Sequence, residues 1–198
     1  TAIVGEPGIG KSRLLAELRA AALGRGARWA EADGRSYGGA RTHDLLAALL
    51  RDLSGIGADD GPDRFVTFVE AVAGAGSSAG PTLAEIAWPG TQPPGPSDPR
   101  GLLLARRIAL RTLVDAAAAE RPLVLALEDV HRADPASVAI LEALVGQGEA
   151  PRLFVMTSRP EPGAPGWRLV DAVGALGSAA GVTVDLGAMD ARASLRLV

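Results

Sequence analysis

The stretch that decides the fold occupies residues 5–12 and reads Gly5-Glu6-Pro7-Gly8-Ile9-Gly10-Lys11-Ser12. A short apolar run, residues 1–4, precedes it and is typical of the end of a buried strand. From Arg13 to Leu23 the apolar residues recur at helical spacing, which predicts a helix. A glycine-rich turn between a strand and a helix points several backbone N–H groups at one place, where the helix adds the positive end of its dipole. The stretch therefore predicts a binding site for phosphate.

Gly5, four further residues and then Gly10-Lys11-Ser12 match the P-loop pattern at every fixed position. In this pattern the lysine reaches the β- and γ-phosphates and the hydroxyl is a ligand for Mg²⁺. We predict that ATP is bound by Gly5, Glu6, Pro7, Gly8, Ile9, Gly10, Lys11, Ser12 and Arg13. GTP is disfavoured, because no Asn/Thr-Lys-x-Asp string occurs. A chance match is the alternative, and the strand and helix on either side argue against it.

The composition is that of a folded domain. At 198 residues and 47% hydrophobic content the chain is long enough and apolar enough to bury a core. Its net charge is −3 and its arginines are dispersed among acids, so we expect no direct contact with nucleic acid. We expect residues 1–198 to form one domain.

Several kinds of site are excluded by what the composition lacks. The chain has no cysteine, which excludes disulfides and thiolate metal sites and suits a cytoplasmic protein. No apolar run approaches the roughly 20 residues that a membrane span needs, so we expect no membrane contact. Because the chain opens directly onto a strand, we also expect its true N-terminus to be missing.

Strands and helices alternate along the chain. Five apolar segments predict strands, one before the glycine loop and the others near residues 29, 125, 154 and 184. The run 123–127 is continuously apolar, which indicates a strand buried on both faces of a parallel sheet. The helices between the strands are predicted at 13–23, 42–53, 99–119 and 135–145. This alternation predicts a parallel five-stranded α/β sandwich of three layers.

The helix boundaries carry their own signals. Asp98-Pro99 and Asp134-Pro135 each combine an N-cap residue with a proline in the first turn. Residues 54–100 are interrupted by glycine and proline, and we predict an irregular, proline-rich insertion there with one helix at 63–73. Asp190 is predicted to cap a last helix.

A pair of acids ends the buried strand 123–127. Ligands in parallel α/β sheets bind beyond the carboxyl ends of the strands, which is where Glu128 and Asp129 lie. We assign Glu128 to the metal ion and Asp129 to the general base, while the reverse assignment and a shared role as metal ligands with Ser12 remain open. The alternative is a solvated acidic pair in a loop. His131 either positions water, signals between the nucleotide and the helix, or is structural.

The strand near residue 154 ends in Thr157-Ser158-Arg159. If this strand neighbours the first one, Arg159 faces the γ-phosphate, which its permanently charged guanidinium suits. Thr157 or Ser158 is then a hydrogen-bond partner for the attacking water. The alternative is that Arg159 only caps a surface turn before Pro160. We predict Lys11, Glu128, Asp129 and Arg159 as the catalytic residues.

Together these elements resemble the AAA-like ATPase domain of STAND signalling proteins. The resemblance is closest to the domain of large bacterial LuxR-type transcriptional regulators and of adenylate-cyclase-linked proteins. It rests on residues 5–17, 122–137 and 157–160. Arg132 stands where that family usually has tryptophan.

The resemblance implies an ASCE/AAA-like P-loop fold and an ATP-driven switch that self-associates and is reset by slow, Mg²⁺-dependent hydrolysis. It also implies an effector domain in the same longer chain. The adenine-side segment before the first strand and the C-terminal lid of the family are expected to be absent, so that the chain is truncated at both ends. A nucleotide-binding scaffold with little hydrolysis, and a small-molecule P-loop kinase, are the alternative functions.

Overall fold

The computed structural model describes residues 1–34, 42–90, 98–146, 150–178 and 180–187. Within these ranges the strands are β1 Ala2–Gly5, β2 Arg28–Asp33, β3 Leu123–Glu128, β4 Arg152–Ser158 and β5 Thr183–Leu186. The helices are α1 Lys11–Gly24, α2 Asp44–Ser54, α3 Pro62–Ala73, α4 Ala79–Ala87, α5 Pro99–Glu120, α6 Pro135–Leu141 and α7 Trp167–Ala175. Short 3₁₀ turns occupy Ala58–Asp60, Val130–Arg132 and Glu142–Leu144.

The five strands form one sheet in the order β2-β3-β4-β1-β5, and all neighbouring strands are parallel. This confirms the predicted parallel α/β fold. It also confirms that β4 lies beside β1, with Val4 opposite Ser158 in the register. Because the strands are parallel, their carboxyl ends meet at one edge of the sheet, and the loops that follow β1, β3 and β4 lie next to one another there.

The sheet is the middle of three layers. Alternate residues of β3 face opposite ways: Leu123, Leu125 and Leu127 belong to the larger core cluster, whereas Val124 and Ala126 belong to the cluster that includes Leu15 of α1. All five residues are buried, so the continuous apolar run does indicate burial on both faces. The buried residues of α2 to α7 belong to the larger cluster.

The insertion between α2 and α5 is more helical than the sequence indicated. The predicted helix at 63–73 is present as α3, but α4 was not predicted, because Gly80 and Pro81 in it suggested a break. The packing of α4 against α3 outweighs the helix-breaking tendency of Gly80 and Pro81. A Cβ added at Gly80 would lie only 3.3 Å from the Val66 side chain, so glycine permits the close approach of the two helices. The prolines at 91–97 lie outside the described residues.

Two further helices differ from the predictions. Helix α6 ends at Leu141 and continues as the 3₁₀ turn Glu142–Leu144, four residues earlier than the predicted end at Val145. Helix α7 was not predicted; its short apolar pattern is preceded by the breakers Pro160, Pro162 and Pro165. The predicted cap at Asp190 lies outside the described residues.

The two predicted aspartate caps are confirmed. The Asp98 carboxylate accepts hydrogen bonds from the backbone N–H groups of Arg100 and Gly101. The Asp134 carboxylate accepts from Ser137 N–H in the same way, and it also accepts from His43 and Leu45 at the start of α2. Asp134 therefore joins the turn after β3 to a helix 90 residues earlier in the chain. Burial acts to raise the pKa of Asp134, but the hydrogen bonds outweigh it and bring the pKa below its ordinary value.

Across the ranges described above, no helix combines the length and the apolarity that crossing a bilayer requires.

We predict that Asp134→Ala costs about 2–3 kcal/mol of unfolding free energy at pH 7, because the loss of a cap adds to N–H donors left unpaired in α2. The matched variant Asp98→Ala removes a cap whose partners among the described residues are both in the first turn of its own helix, and it should cost about 1 kcal/mol. Urea denaturation of both variants measures the difference, and equal losses would show that the bonds to His43 and Leu45 contribute nothing.

The same comparison has a pH dependence. An aspartate whose pKa is lowered by folding stabilises the protein above the unfolded pKa of about 3.9 and loses that contribution as pH falls through the lower folded value. The difference in unfolding free energy between wild type and Asp134→Ala should therefore have its full size at pH 7 and should become smaller below about pH 4.

Candidate functional site

The glycine loop connects the end of β1 to the first turn of α1. Gly8 and Gly10 have φ values of +76° and +104°, a region in which residues with a Cβ are strained. Gly5 is required for a different reason, since a Cβ there would lie 2.9 Å from both Ile9 Cγ2 and Leu186 O. The glycines of the predicted phosphate loop are thus demanded by its backbone conformation and by its packing against β5.

Lys11 is held inside this loop. The residue is 7% exposed, and its Nζ donates hydrogen bonds to the carbonyl oxygens of Gly5 at 2.7 Å and Glu6 at 3.0 Å. Two loop carbonyl groups therefore hold the ammonium group, and its positive charge lies within the loop.

Ser12 links the loop to the acidic end of β3. Its hydroxyl donates a hydrogen bond of 2.9 Å to the Glu128 carboxylate, across 116 positions of sequence. The structure therefore brings together two of the three predicted metal-binding residues. Burial, followed by the hydrogen bond and the negative charge of Glu31, raises the pKa of Glu128, whereas the bond from Ser12 opposes the rise.

Glu31 and Asp33 lie beside Glu128, although neither was predicted as a site residue. Asp33 lies opposite Glu128 in the β2–β3 register, and Glu31 lies two positions earlier, so both are on the same face as Glu128. The usable signal was the alternation of acids in β2, whose significance depends on β2 lying next to β3. In the described part of the chain, no group of three or more His, Asp or Glu side chains forms a metal site by itself.

A cavity of about 340 Å³ opens beside the loop. Its lining combines loop and helix residues with an acid and a cation that directly follow two other strands: Pro7, Gly8, Gly10, Lys11, Ser12, Arg13, Asp129 and Arg159. Of the other predicted residues, Gly5 and Glu6 supply carbonyl groups to Lys11, and Ile9 packs against Gly5. Glu128 reaches the cavity wall through Ser12. The predicted site residues therefore converge.

The side chains of the acidic pair, Glu128 and Asp129, point in different directions. Glu128 points to Ser12, whereas Asp129 lines the cavity. This split follows from the backbone, because Asp129 has a left-handed φ of +49° and ends the strand abruptly. Aspartate tolerates this conformation better than most residues with a Cβ. Its N–H donates a 2.9 Å hydrogen bond to Thr157 Oγ1, which ties the turn to β4.

The hydroxyls at the end of β4 are engaged inside the protein. Thr157 and Ser158 are 1% and 0% exposed, and neither lines the cavity. Thr157 accepts from Asp129 N–H, and the Ser158 hydroxyl donates to the carbonyl of Arg159. Both side chains therefore hold the backbone around Asp129 and Arg159, a role that differs from the contact with water predicted for one of them.

His131 is buried next to Arg159. It is 6% exposed, and its Nδ1 accepts a hydrogen bond from Arg159 N–H at 3.4 Å. Burial lowers the pKa of His131 despite the negative charges of Asp129 and Glu161, so the ring is neutral at pH 7. Arg132, at the position of the family tryptophan, is exposed.

The backbone at two glycines lies in close contact with the turn that carries Asp129 and His131. A Cβ at Gly34, just after β2, would lie 2.6 Å from the Asp129 carbonyl oxygen. A Cβ at Gly166, just before α7, would lie 1.7 Å from the Val130 carbonyl oxygen. The turn is therefore enclosed between the end of β2 and the start of α7. Sequence alone offered two ordinary loop glycines here.

The comparison with protein families agrees with this geometry. The family model of the AAA ATPase domain matches residues 1–156, which include β1, the glycine loop and the acidic pair. The chain belongs to the AAA ATPase domain family. Membership indicates that this domain binds a nucleotide. No curated protein matches the chain.

The packing at Gly166 can be tested with a matched pair of variants. We predict that Gly166→Ala lowers the unfolding free energy by at least about 2 kcal/mol, because the new methyl group overlaps the Val130 carbonyl. Gly163→Ala, where a Cβ meets no atom within 4 Å, should change it by less than about 0.5 kcal/mol. Denaturant titration of both variants is sufficient, and a Gly166→Ala variant as stable as Gly163→Ala would contradict the observed packing.

Proposed function

We propose that this AAA ATPase domain binds and slowly hydrolyses ATP, and that it serves as the regulatory switch of a larger bacterial signalling or transcription regulator. The observation that carries the proposal is the single cavity lined by the glycine loop, Asp129 and Arg159. A group that binds phosphate, an acid and a permanent cation lie at one place, which is the set that phosphoryl transfer to water requires.

The loop accounts for binding of the triphosphate. Left-handed glycines expose backbone N–H groups, α1 begins at Lys11 with its positive end toward the cavity, and Lys11 adds a full charge. Arg13 lines the same cavity and adds a second cation. We therefore assign recognition of the phosphates to these residues.

The residues at the Ser12–Glu128 contact fit Mg²⁺. A hydroxyl and a carboxylate oxygen within 2.9 Å of each other are hard ligands of the type that Mg²⁺ prefers, and its remaining ligands are commonly phosphate oxygens and water. Bound Mg²⁺ would supply charge neutralisation on the phosphates. Burial and then the neighbouring acids raise the pKa of Glu128, and a bound cation would oppose both effects by favouring the carboxylate.

Asp129 is our proposed general base. It accepts a proton from water as the water oxygen forms a bond to the γ-phosphorus, while the bond from that phosphorus to the β–γ bridging oxygen breaks. The products are ADP and inorganic phosphate, and the proton on Asp129 then returns to solvent. Arg159 offsets the negative charge on the phosphoryl group, which is present in ATP and absent in ADP.

The regulatory part of the proposal concerns the longer chain. We propose that residues 1–198 are one ATPase core that acts in the cytoplasm, self-associates in the ATP state and controls an effector domain of the same polypeptide. The loss of the γ-phosphate would remove a partner of Arg159, and so the end of β4 is the element through which nucleotide state reaches the rest of the domain.

Hydrolysis can be tested by single-turnover assays with Mg²⁺ and ATP. We expect Asp129→Asn to reduce the rate about 100-fold with nucleotide affinity kept within threefold, because asparagine tolerates the left-handed φ but is not a base. Lys11→Ala should instead weaken ATP binding by about tenfold or more. If wild type binds ATP but hydrolyses it no faster than either variant, the domain is a nucleotide-binding scaffold.

Binding can be tested without hydrolysis. A ligand that binds only the folded state at 100 times its Kd stabilises the protein by about 2.7 kcal/mol, which thermal denaturation detects. We expect ATP to stabilise wild type in the presence of Mg²⁺, and we expect chelation of the metal by EDTA to reduce this effect. The absence of any stabilisation by ATP, with and without Mg²⁺, would contradict the proposed function.

A further inference from the structure

Two hydrogen bonds join the turn after β3 to the end of β4. Asp129 N–H donates to Thr157 Oγ1 at 2.9 Å, and Arg159 N–H donates to His131 Nδ1 at 3.4 Å. The bonds run in opposite directions: the turn donates in the first and accepts in the second. Asp129 and Arg159, the acid and the cation of the cavity, are therefore fastened to each other through buried partners.

The bond from Arg159 also defines the state of the imidazole. Because Nδ1 accepts, the neutral ring carries its proton on Nε2. This Nε2 is buried and has no hydrogen-bond partner among the residues that the structure describes. A leucine would remove this unpaired buried donor but would leave the Arg159 N–H without its acceptor. The advantage of a histidine here is its Nδ1 acceptor.

The turn itself has little freedom to move. The backbone after β2 and the backbone before α7 both lie in close contact with it, at Gly34 and Gly166. On its other side Asp134 fixes it to α2. Arg159, by contrast, lies just beyond the last residue of β4, where the sheet hydrogen bonds end. The Arg159 carbonyl accepts from the Ser158 hydroxyl and from Glu161 N–H, both close in sequence, whereas the Arg159 N–H donates to His131. His131 therefore links Arg159 to the enclosed turn.

We propose that His131 is a positioning residue that sets the location of Arg159, and thereby sets how strongly the site prefers a nucleoside triphosphate to a diphosphate. The inference rests on the proposed function, in which Arg159 meets the γ-phosphate. His131 touches no reacting atom; it acts through the backbone of Arg159. A residue that only filled the core would affect the two nucleotides equally.

The test compares His131→Asn with His131→Leu in the full chain. Asparagine places its side-chain oxygen the same number of bonds from Cβ as Nδ1, so it retains the acceptor, whereas leucine has a similar shape and no acceptor. Calorimetry then gives the affinities for ADP and for the slowly hydrolysed analogue ATPγS, each with Mg²⁺. Thermal denaturation verifies that both variants are folded.

We expect His131→Leu to bind ATPγS about tenfold more weakly, with ADP affinity within twofold of wild type. His131→Asn should bind ATPγS within threefold of wild type. In an Arg159→Ala background, His131→Leu should produce no further loss, because its effect passes through Arg159. Equal losses for both nucleotides, equal losses in both His131 variants, or additive losses with Arg159→Ala would each overturn the inference.

The result separates two kinds of failure. If wild type binds ATPγS no better than Lys11→Ala does, the proposed function fails and the inference fails with it. If wild type binds ATPγS more tightly than ADP and His131→Leu retains that preference, only the role of His131 is refuted. Should His131→Leu not fold, the test uses His131→Asn alone. An unchanged ratio of its affinities for ATPγS and ADP supports the inference, and loss of the preference for ATPγS overturns it.

Discussion

The parallel pairing of β1 with β4 is the constraint on which the site depends. It places Val4 opposite Ser158, so the glycine loop and Arg159 leave the sheet side by side. On the other side of β1, β5 packs so closely that Gly5 cannot carry a Cβ. The loop is therefore fixed from both sides at its first residue. The loop therefore lines the same cavity as Arg159, which belongs to a segment more than 140 residues away in sequence.

The second organising element is the turn that follows β3. In six residues it presents Asp129 to the cavity, His131 to the backbone of Arg159, and Asp134 to the start of α2. His131 and Asp134 accept from backbone N–H groups in other parts of the chain, and the Asp129 N–H donates to the Thr157 hydroxyl. Such bonds are worth little individually but are costly to break when buried. The turn thus joins the phosphate site to the helical layer, and it offers a physical route by which a nucleotide could affect distant helices.

Charge is distributed around the cavity in a way that suits a metal–phosphate complex. The cavity is lined by three cations, Lys11, Arg13 and Arg159. Glu128, on the far side of Ser12, has the acids Glu31 and Asp33 beside it. The chain as a whole carries −3, so the cationic character of this one cavity is a local property. Burial, together with the neighbouring acids Glu31 and Asp33, raises the pKa of Glu128, and a bound cation would favour its charged form.

Much of this could be predicted from the sequence, because the signals are local. The glycine loop, the five strands and the Asp98 and Asp134 caps depend on spacing within a few residues, and the structure has all of them. Helix α4 was missed because Gly80 is a breaker in isolation but a close contact with Val66 in the fold. The different directions of Glu128 and Asp129 also needed the structure, since a left-handed φ turns Asp129 away from Ser12.

The sequence by itself determined that a phosphate loop stands between a strand and a helix, and that acids and an arginine end two later strands. Only the tertiary structure decided that these groups converge, because strand order and register depend on contacts between residues more than 100 positions apart. The same reason explains why Glu31, Gly34 and Gly166 were not recognised. Their importance comes from neighbours that no local pattern identifies.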